Sequence, residues 1–283
     1  MKKACHVLGI DVGGTKIAGG VVRFPKGEIV AHRIIPTKPA RGSDKVLDDL
    51  FALANELVAL TKARIQGAGV GICELVSPDG KIQSAATLKW TSQQIHKKLA
   101  RFAPITIEAD VRAAALAEAL FGTGRKYRNF LFVTIGTGIS CCLVVDGQPY
   151  TGTRGATGTM ASGAVTQRCE KCGHIQTQTL EDVASGRALA GEPSGHTGGY
   201  EAYRKAGEAL GSTLALLIDV LDPGAVVVGG GLGLAGGPYW DGLVASTRTH
   251  IWSQVSRRIP IQRAKTGRNA GTVGAAAAAW LRR

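Results

Sequence analysis

Apolar and polar positions along the chain follow two different periods. Residues 6–12 (His-Val-Leu-Gly-Ile-Asp-Val), 17–23 and 28–37 read as three strands, turned at Gly13-Gly14 and at Pro25-Lys26-Gly27, which predicts an antiparallel meander. Residues 43–62 switch to a helical period, with apolar side chains at 46, 47, 50, 51, 54, 57 and 58 behind Ser43 and Asp44. Strands follow at 67–73 and 104–108, then an Ala-rich helix at 111–121 that Gly122 stops. The opening pattern returns as a strand at 130–135, the turn Gly136-Thr137-Gly138 and a strand at 139–146. Helices are expected at 179–190, 200–220, 239–253 and 269–282, strands at 225–229 and 259–263, and a Gly-rich loop at 191–199.

Two α/β stretches that each open strand, Gly turn, strand predict an internal duplication with a cleft between the halves. The expected domains are residues 1–108 and 109–283, with the last helix, about 269–283, returning to the first.

Composition narrows the class. A chain of 283 residues with 45% hydrophobic content can bury one large core or two moderate ones. No apolar run approaches the roughly 20 residues a membrane span needs. The apolar stretch after Met1-Lys2-Lys3 meets Asp11 too soon for a signal peptide, so a cytoplasmic location and no membrane partner are expected. Six cysteines are too sparse for a disulfide scaffold and imply reduced thiols. The net charge of +13 is uneven, because no Asp or Glu follows Asp241 while eight Arg and Lys do. That tail either attracts a polyanion (nucleotide or polyphosphate) or forms a solvated basic surface. It lacks interleaved aromatics and a helix-turn-helix or zinc-finger pattern, so nucleic acid is not an expected partner.

Three Gly-rich turns carry candidate chemistry. In Asp11-Val12-Gly13-Gly14-Thr15-Lys16, glycines at a strand end let backbone N–H groups approach phosphate oxygens, and Thr15 adds a hydroxyl donor. The spacing is not that of a Walker A loop, and a strand follows in place of a helix. Asp11 could hold Mg²⁺ through water; a plain tight turn beside a buried Asp is the alternative. Gly136, Thr137 and Gly138 repeat the device, and two such hairpins suit a triphosphate. In Val226–Gly233, Gly231, Gly233 and Gly236 match dinucleotide spacing, but the acidic residue expected about 20 positions on is absent. Gly230 and Gly231 therefore read as a backbone platform for adenosine. Asp110, at the start of the 111–121 helix, is either an N-cap or a base that accepts a hydroxyl proton.

With these motifs in order, the chain resembles the ROK family of bacterial sugar kinases, repressors and related proteins, within the actin-like (ribonuclease H-like) superfamily. The resemblance runs end to end over Asp11–Lys16, Glu108–Glu118, Thr134–Gly138, Leu180-Glu181…Ser185-Gly186 and Val228–Gly233. It implies two ribonuclease H-like domains, an ATP- and Mg²⁺-dependent phosphotransferase, Asp110 as general base, Glu181 as acceptor for a substrate hydroxyl, and a homodimer or homotetramer. Departures from the family pattern bear on the substrate. The usual Asn-Asp-Ala-Asn is here Ala109-Asp110-Val111-Arg112, a usual Pro-Gly is Cys73-Glu74, and the usual sugar-gripping Glu and His align with Thr159 and Ser162. A site built on hydrogen bonds discriminates strongly when its partners change. The expectation moves from glucose and N-acetylmannosamine toward a cyclitol, such as the C7 type phosphorylated by ROK-like kinases. The family's zinc-binding cysteine run is reduced to Cys169, Cys172 and His174, which leaves a rearranged Zn²⁺ site or reduced loop thiols open. Polyphosphate in place of ATP stays open as donor, and so does a sugar-sensing regulator without turnover. Repressors of the family place a helix-turn-helix before the first phosphate motif, and only ten residues precede Asp11.

Overall fold

The computed structural model describes residues 4–102, 104–168, 172–190 and 197–282. The chain divides into two compact units, one formed by Met1–Lys126, Val144–Thr157 and Arg268–Arg283, the other by Tyr127–Leu143 and Gly158–Gly267.

In the first unit, β1 (Cys5–Val12), β2 (Lys16–Phe24) and β3 (Glu28–Pro36) form the expected meander. Helix α1 (Ser43–Thr61) leads to β4 (Ile65–Ile72), and α2 (Ser92–Lys98) precedes β5 (Ile105–Ala109) and α3 (Asp110–Phe121). The sheet order is β3-β2-β1-β4-β5, with β4 parallel to both β1 and β5. The central strand β1 is apolar almost throughout because both faces are covered, whereas the edge strand β3 stays largely open to solvent. Helix α1 covers one face with Val46, Leu50, Leu53, Ala54 and Leu57.

In the second unit, β6 (Phe130–Ile135) and β7 (Ile139–Val145) flank the second Gly turn, and β7 runs on into β8 (Gln148–Pro149). The hairpin β9 (Ala164–Arg168) and β10 (Ile175–Thr179) precedes α4 (Leu180–Ala184) and α5 (Thr197–Leu221). Then come β11 (Val226–Gly229), α6 (Gly231–Ala235), α7 (Pro238–His250) and β12 (Ile261–Arg263), after which the chain returns to the first unit as α8 (Ala270–Leu281). This sheet runs β12-β11-β6-β7-β8, the first sheet's order rank for rank, with β11 parallel to β6 and β12. The duplication read from the sequence is thus a duplication of topology, an α/β fold built from two ribonuclease H-like sheets.

Helix α8 closes the first unit. Its run Ala275–Ala279 is buried, and a methyl on Gly9 of β1 or Gly69 of β4 would overlap α8 carbonyls at Thr272 and Ala275. Small residues on both sides permit that backbone approach, which explains a helix nearly devoid of large side chains.

Three expectations change. The helix expected at 179–190 is only Leu180–Ala184, because Gly186 N–H and Arg187 N–H donate instead to the carbonyls of Gly136 (2.8 Å) and Thr137 (3.2 Å). The chain passes between units after Lys126 rather than near 109, since α3 packs against α8. Helix α2, with its Thr91–Gln94 capping box, lacks an apolar stripe and was not expected. Most of the expected 191–199 loop lies outside the described residues, and α5 begins at Thr197. Among the described residues no helix is long and apolar enough to cross a membrane.

Candidate active site

Parallel pairing aligns Asp11 with Gly71, Gly71 with Glu108 and Ile72 with Ala109, so β1, β4 and β5 end at one edge of the first sheet. Asp11, Cys73-Glu74 and Asp110 all leave that edge, where parallel α/β sheets generally bind ligands. The first Gly turn is fixed there by Gly13 N–H donating to the Lys16 carbonyl (3.0 Å). Thr37 adds its hydroxyl to the Gly13 carbonyl (2.6 Å) and its N–H to the Thr15 carbonyl (3.0 Å).

The carboxyl of Asp11 lies where a methyl on Gly271, at the start of α8, would have to stand. Burial pushes its pKa up to about 6, and the Lys16 ammonium draws it partly back. Asp110 is the first helical residue of α3; the N-cap position falls on Ala109, which makes no side-chain cap. Its Oδ1 accepts the N–H of the adjacent Val111 at 2.6 Å, not the bond to the second or third turn residue that a cap makes. The cap alternative is therefore not what this geometry shows. Burial, then the negative charge of Asp11, push the Asp110 pKa up to about 7; the Val111 N–H opposes this, Glu74 adds to it, and Arg112 opposes it. Asp110, raised by burial and by the Asp11 charge, is thus poised to take a proton near neutrality.

Two residues beside Asp110 entered the sequence reading only as a departure from the family's usual Pro-Gly. Cys73 faces it with a thiol held neutral, its pKa pushed up to about 12 by burial and by the Asp110 charge. Glu74 is buried and accepts the Ser84 hydroxyl and the N–H groups of Ala86 (2.9 Å), Thr87 (2.6 Å) and Leu88 (2.9 Å). Burial alone would raise its pKa, but these four bonds win and hold it below the ordinary carboxylate value. The knot sets Thr87 against the Gly turn, its methyl 3.3 Å from where a Gly14 side chain would begin. The one available signal was an acid placed directly after an apolar strand.

In the second unit, Gly136 N–H donates to the Gly138 carbonyl (2.9 Å). Glu181 accepts Ile139 N–H at 3.1 Å and pairs with Arg187 at 2.8 Å, and a Gly138 side chain would begin 2.6 Å from its Oε2. Glu181 is thus engaged with the second Gly turn rather than standing alone as a hydroxyl acceptor. Gly230 has φ +81°, and a methyl on it would overlap the Ile135 carbonyl, so the third turn lies directly on the second. Methyls on Gly136 and Gly231 would meet nothing within 4 Å, so there is space beside both turns. Thr159 precedes a 3₁₀ turn at Met160–Ser162, and the Ser162 hydroxyl is returned to the Thr159 carbonyl at 3.1 Å.

The first unit therefore gathers Asp11, Gly13, Gly14, Thr15, Lys16, Ala109 and Asp110. The second gathers Gly136, Thr137, Gly138, Glu181, Gly230 and Gly231, with Thr159 and Ser162 joined to β7 where Cys141 N–H meets the Gly158 carbonyl (3.2 Å). Cys169 lies outside the described residues, while Cys172 and His174 are exposed. Among the described residues no three His, Cys, Asp or Glu side chains group as metal ligands. Much of the basic tail has structural work: Arg248 donates to the Arg257 and Ile259 carbonyls, Arg257 to the Ile251 carbonyl, and Arg263 stacks 4.4 Å over Trp240.

Comparison with known proteins bears on the family and the fold. The ROK family model matches residues 7–282. A glucokinase of Streptomyces coelicolor is 28% identical over 95% of this chain and 96% of its own. An N-acetylmannosamine kinase of Escherichia coli is 29% identical over 95% and 96%. The crystal structure of a ROK glucokinase from Streptomyces griseus, in complex with glucose and AMPPNP, superposes with a TM-score of 0.84 at 24% identity, covering 98% of this chain and 99% of that one.

Proposed function

The chain belongs to the ROK family, and we propose that it transfers the terminal phosphoryl group of a nucleotide to a hydroxyl of a sugar or sugar-like polyol. The observation that carries this reading is the pair of half-buried carboxyls, Asp11 at the end of β1 and Asp110 just after β5, at one edge of the first sheet beside a Gly turn. Asp110, with a pKa of about 7, accepts the hydroxyl proton as the oxygen attacks the γ-phosphorus. Backbone N–H groups at the Gly turns hold phosphate oxygens, and such preorganised donors stabilise charge as it develops.

Asp11 is an oxygen donor of the type a hard cation prefers, and it fits Mg²⁺ held through water. That ion, when bound, neutralises phosphate charge. ATP is the donor supported by the relative crystallised with AMPPNP; inorganic polyphosphate is the alternative donor to test. Ala109, Thr159 and Ser162 stand where the family pattern has Asn, Glu and His, and Ser162 already spends its hydroxyl on its own turn. These three positions therefore lack the groups that grip hexopyranoses, which favours a cyclitol.

A panel of hexoses, acetamido sugars, heptuloses and cyclitols, offered with ATP or polyphosphate, tests the reading. Turnover of a cyclitol above all hexoses is expected. Rapid turnover of glucose would overturn the acceptor assignment, and near-normal activity of Asp110→Asn would falsify the base.

A further inference from the structure

Two residues beyond Asp110 in α3 stands a charge that neither the Gly turns nor the proton transfer uses. Arg112 is 2% exposed, and each nitrogen of its guanidinium has a partner. Nε donates to Glu108 Oε1 at 2.6 Å, Nη1 to the Gly155 carbonyl at 3.2 Å and Nη2 to the Val76 carbonyl at 2.5 Å. Glu108 Oε1 also accepts Ala109 N–H at 3.0 Å, and Arg282 lies 3.6 Å from its other oxygen. Gly155 has φ +78°, and a methyl there would overlap the Val76 carbonyl, so the two loops whose carbonyls Arg112 binds are themselves in contact.

We propose that Arg112 is a positioning residue for Asp110, tying the strand end that carries this carboxylate to the two loops packed beside it. The inference rests on reading Asp110 as the base. Glu108 and Arg112 flank Asp110 two residues to either side, so their ion pair clamps the peptides that aim it. The Val76 carbonyl belongs to the loop that begins with Cys73 and Glu74, the two side chains that face Asp110, so one guanidinium sets both the base and its wall. A buried guanidinium is costly, and an apolar side chain of similar volume would often serve stability as well or better. A planar fork with donors in fixed directions can bind a carboxylate and two carbonyls together. The shorter amide of the family's usual Asn at this position could not span them.

The charges around Asp110 make the idea testable without a substrate. Asp11 faces it from β1, with Lys16 of β2 acting on Asp11. Cys73 and Glu74 face it from the end of β4, and Arg112 acts from its own helix, partly neutralised by Glu108, whose other oxygen Arg282 approaches. The measurement is the carboxyl ¹³C titration of protein labelled at aspartate Cγ, with Asp110 identified by the signal missing from Asp110→Asn. Arg112→Met should move the Asp110 midpoint up by roughly one unit, an ordinary size for loss of a nearby opposite charge. Glu108→Gln, which keeps the carbonyl bonds and leaves the Arg112 charge less neutralised, should move it down. A role confined to packing would lower the melting temperature of both variants and leave the midpoint in place. A midpoint that stays put in either folded variant overturns the proposal, and should Arg112→Met fail to fold, Glu108→Gln alone decides. Absence of turnover across the acceptor panel bears on the proposed reaction and leaves this titration unaffected.

Discussion

At the ends of β1, β4 and β5 the first unit carries Asp11, Cys73-Glu74 and Asp110. At the ends of β6, β11 and β12, the strands of equal rank in the second unit, stand Gly136-Thr137-Gly138, Gly230-Gly231 and Arg263-Ala264-Lys265. Counting back from the Gly turns, Thr134 holds the place of Asp11. One scaffold was built twice, and its two copies were given opposite electrostatics. The first is an acidic edge with carboxyls raised toward neutrality, suited to moving a proton. The second is an edge of backbone Gly turns, suited to holding anions. Glu181 is the second copy's nearby acid, and it is tied to Ile139 N–H and to Arg187.

Removing the acid of the first edge should have the largest effect. Asp110→Asn is expected to lower kcat by about 10²- to 10⁴-fold, the usual share of a general base, while nucleotide affinity measured by calorimetry stays within about twofold. The same variant should be more stable at neutral pH. A carboxyl whose folded pKa is about 7, against 3.8 for the ordinary group, stays protonated where the unfolded chain ionises. Stability is therefore lost as pH rises between those values, and an amide at this position escapes the loss. The melting temperature of Asp110→Asn should exceed the parent's at about pH 8, with the difference gone below about pH 4. An unchanged difference across that range would mean the carboxyl is not raised in the folded protein.

Glycine separates the two edges next. Gly230 needs its positive φ, and a methyl collides with the Ile135 carbonyl. Gly230→Ala should cost roughly 2–4 kcal/mol in denaturant unfolding, from backbone strain and overpacking together. Gly13 has neither constraint, its would-be side chain beginning 3.3 Å from the Lys16 carbonyl. Gly13→Ala should cost roughly 1 kcal/mol or less of stability, within the range of tolerated substitutions, and show itself as weaker nucleotide binding. Equal destabilisation by the two would erase the distinction between a glycine kept for the fold and one kept for the ligand.

Glu74 comes third. Glu74→Ala leaves the N–H groups of Ala86, Thr87 and Leu88 without their acceptor and should cost roughly 1–3 kcal/mol. Its pKa is lowered in the fold, so its contribution is present above the ordinary carboxylate range and is lost as pH falls through the folded value. Parent and variant should converge in stability at acid pH.

These contrasts show what the chain discloses by itself. The Gly turns were legible because an apolar run ending in Gly-Gly or Gly-Thr-Gly admits few conformations, and the recurrence of strand, turn, strand exposed the duplication. Asp110 was ambiguous because a cap and a base both call for Asp at a helix start; the bond to Val111 removes the cap. Glu74 and Arg112 were illegible for a different reason. Their partners lie in loops 10–14 and 36–43 residues away, and no local period marks such a pairing. The shortness of α4 was equally hidden, since Leu180–Ala184 looks like the start of a longer helix until Gly186 is drawn to the second turn.

The smallest effect tests whether the second edge must be kept free of negative charge. Arg187 is 63% exposed, so its pair with Glu181 contributes about 0–1 kcal/mol, and Arg187→Ala should scarcely change the unfolding midpoint. Glu181 would nevertheless remain beside Gly138, held by Ile139 N–H, with its charge no longer compensated. A nucleotide whose phosphates lie against that turn would then meet a like charge, and its affinity should fall several-fold at low ionic strength. Because the Debye length shrinks from about 10 Å at 0.1 M salt to about 3 Å at 1 M, most of the loss should vanish in high salt. Glu181→Gln combined with Arg187→Ala should restore affinity at low salt as well. Affinity that ignores both substitutions and the salt would place the phosphates elsewhere, and the second edge would lose the anion-binding role that sets it apart from the first.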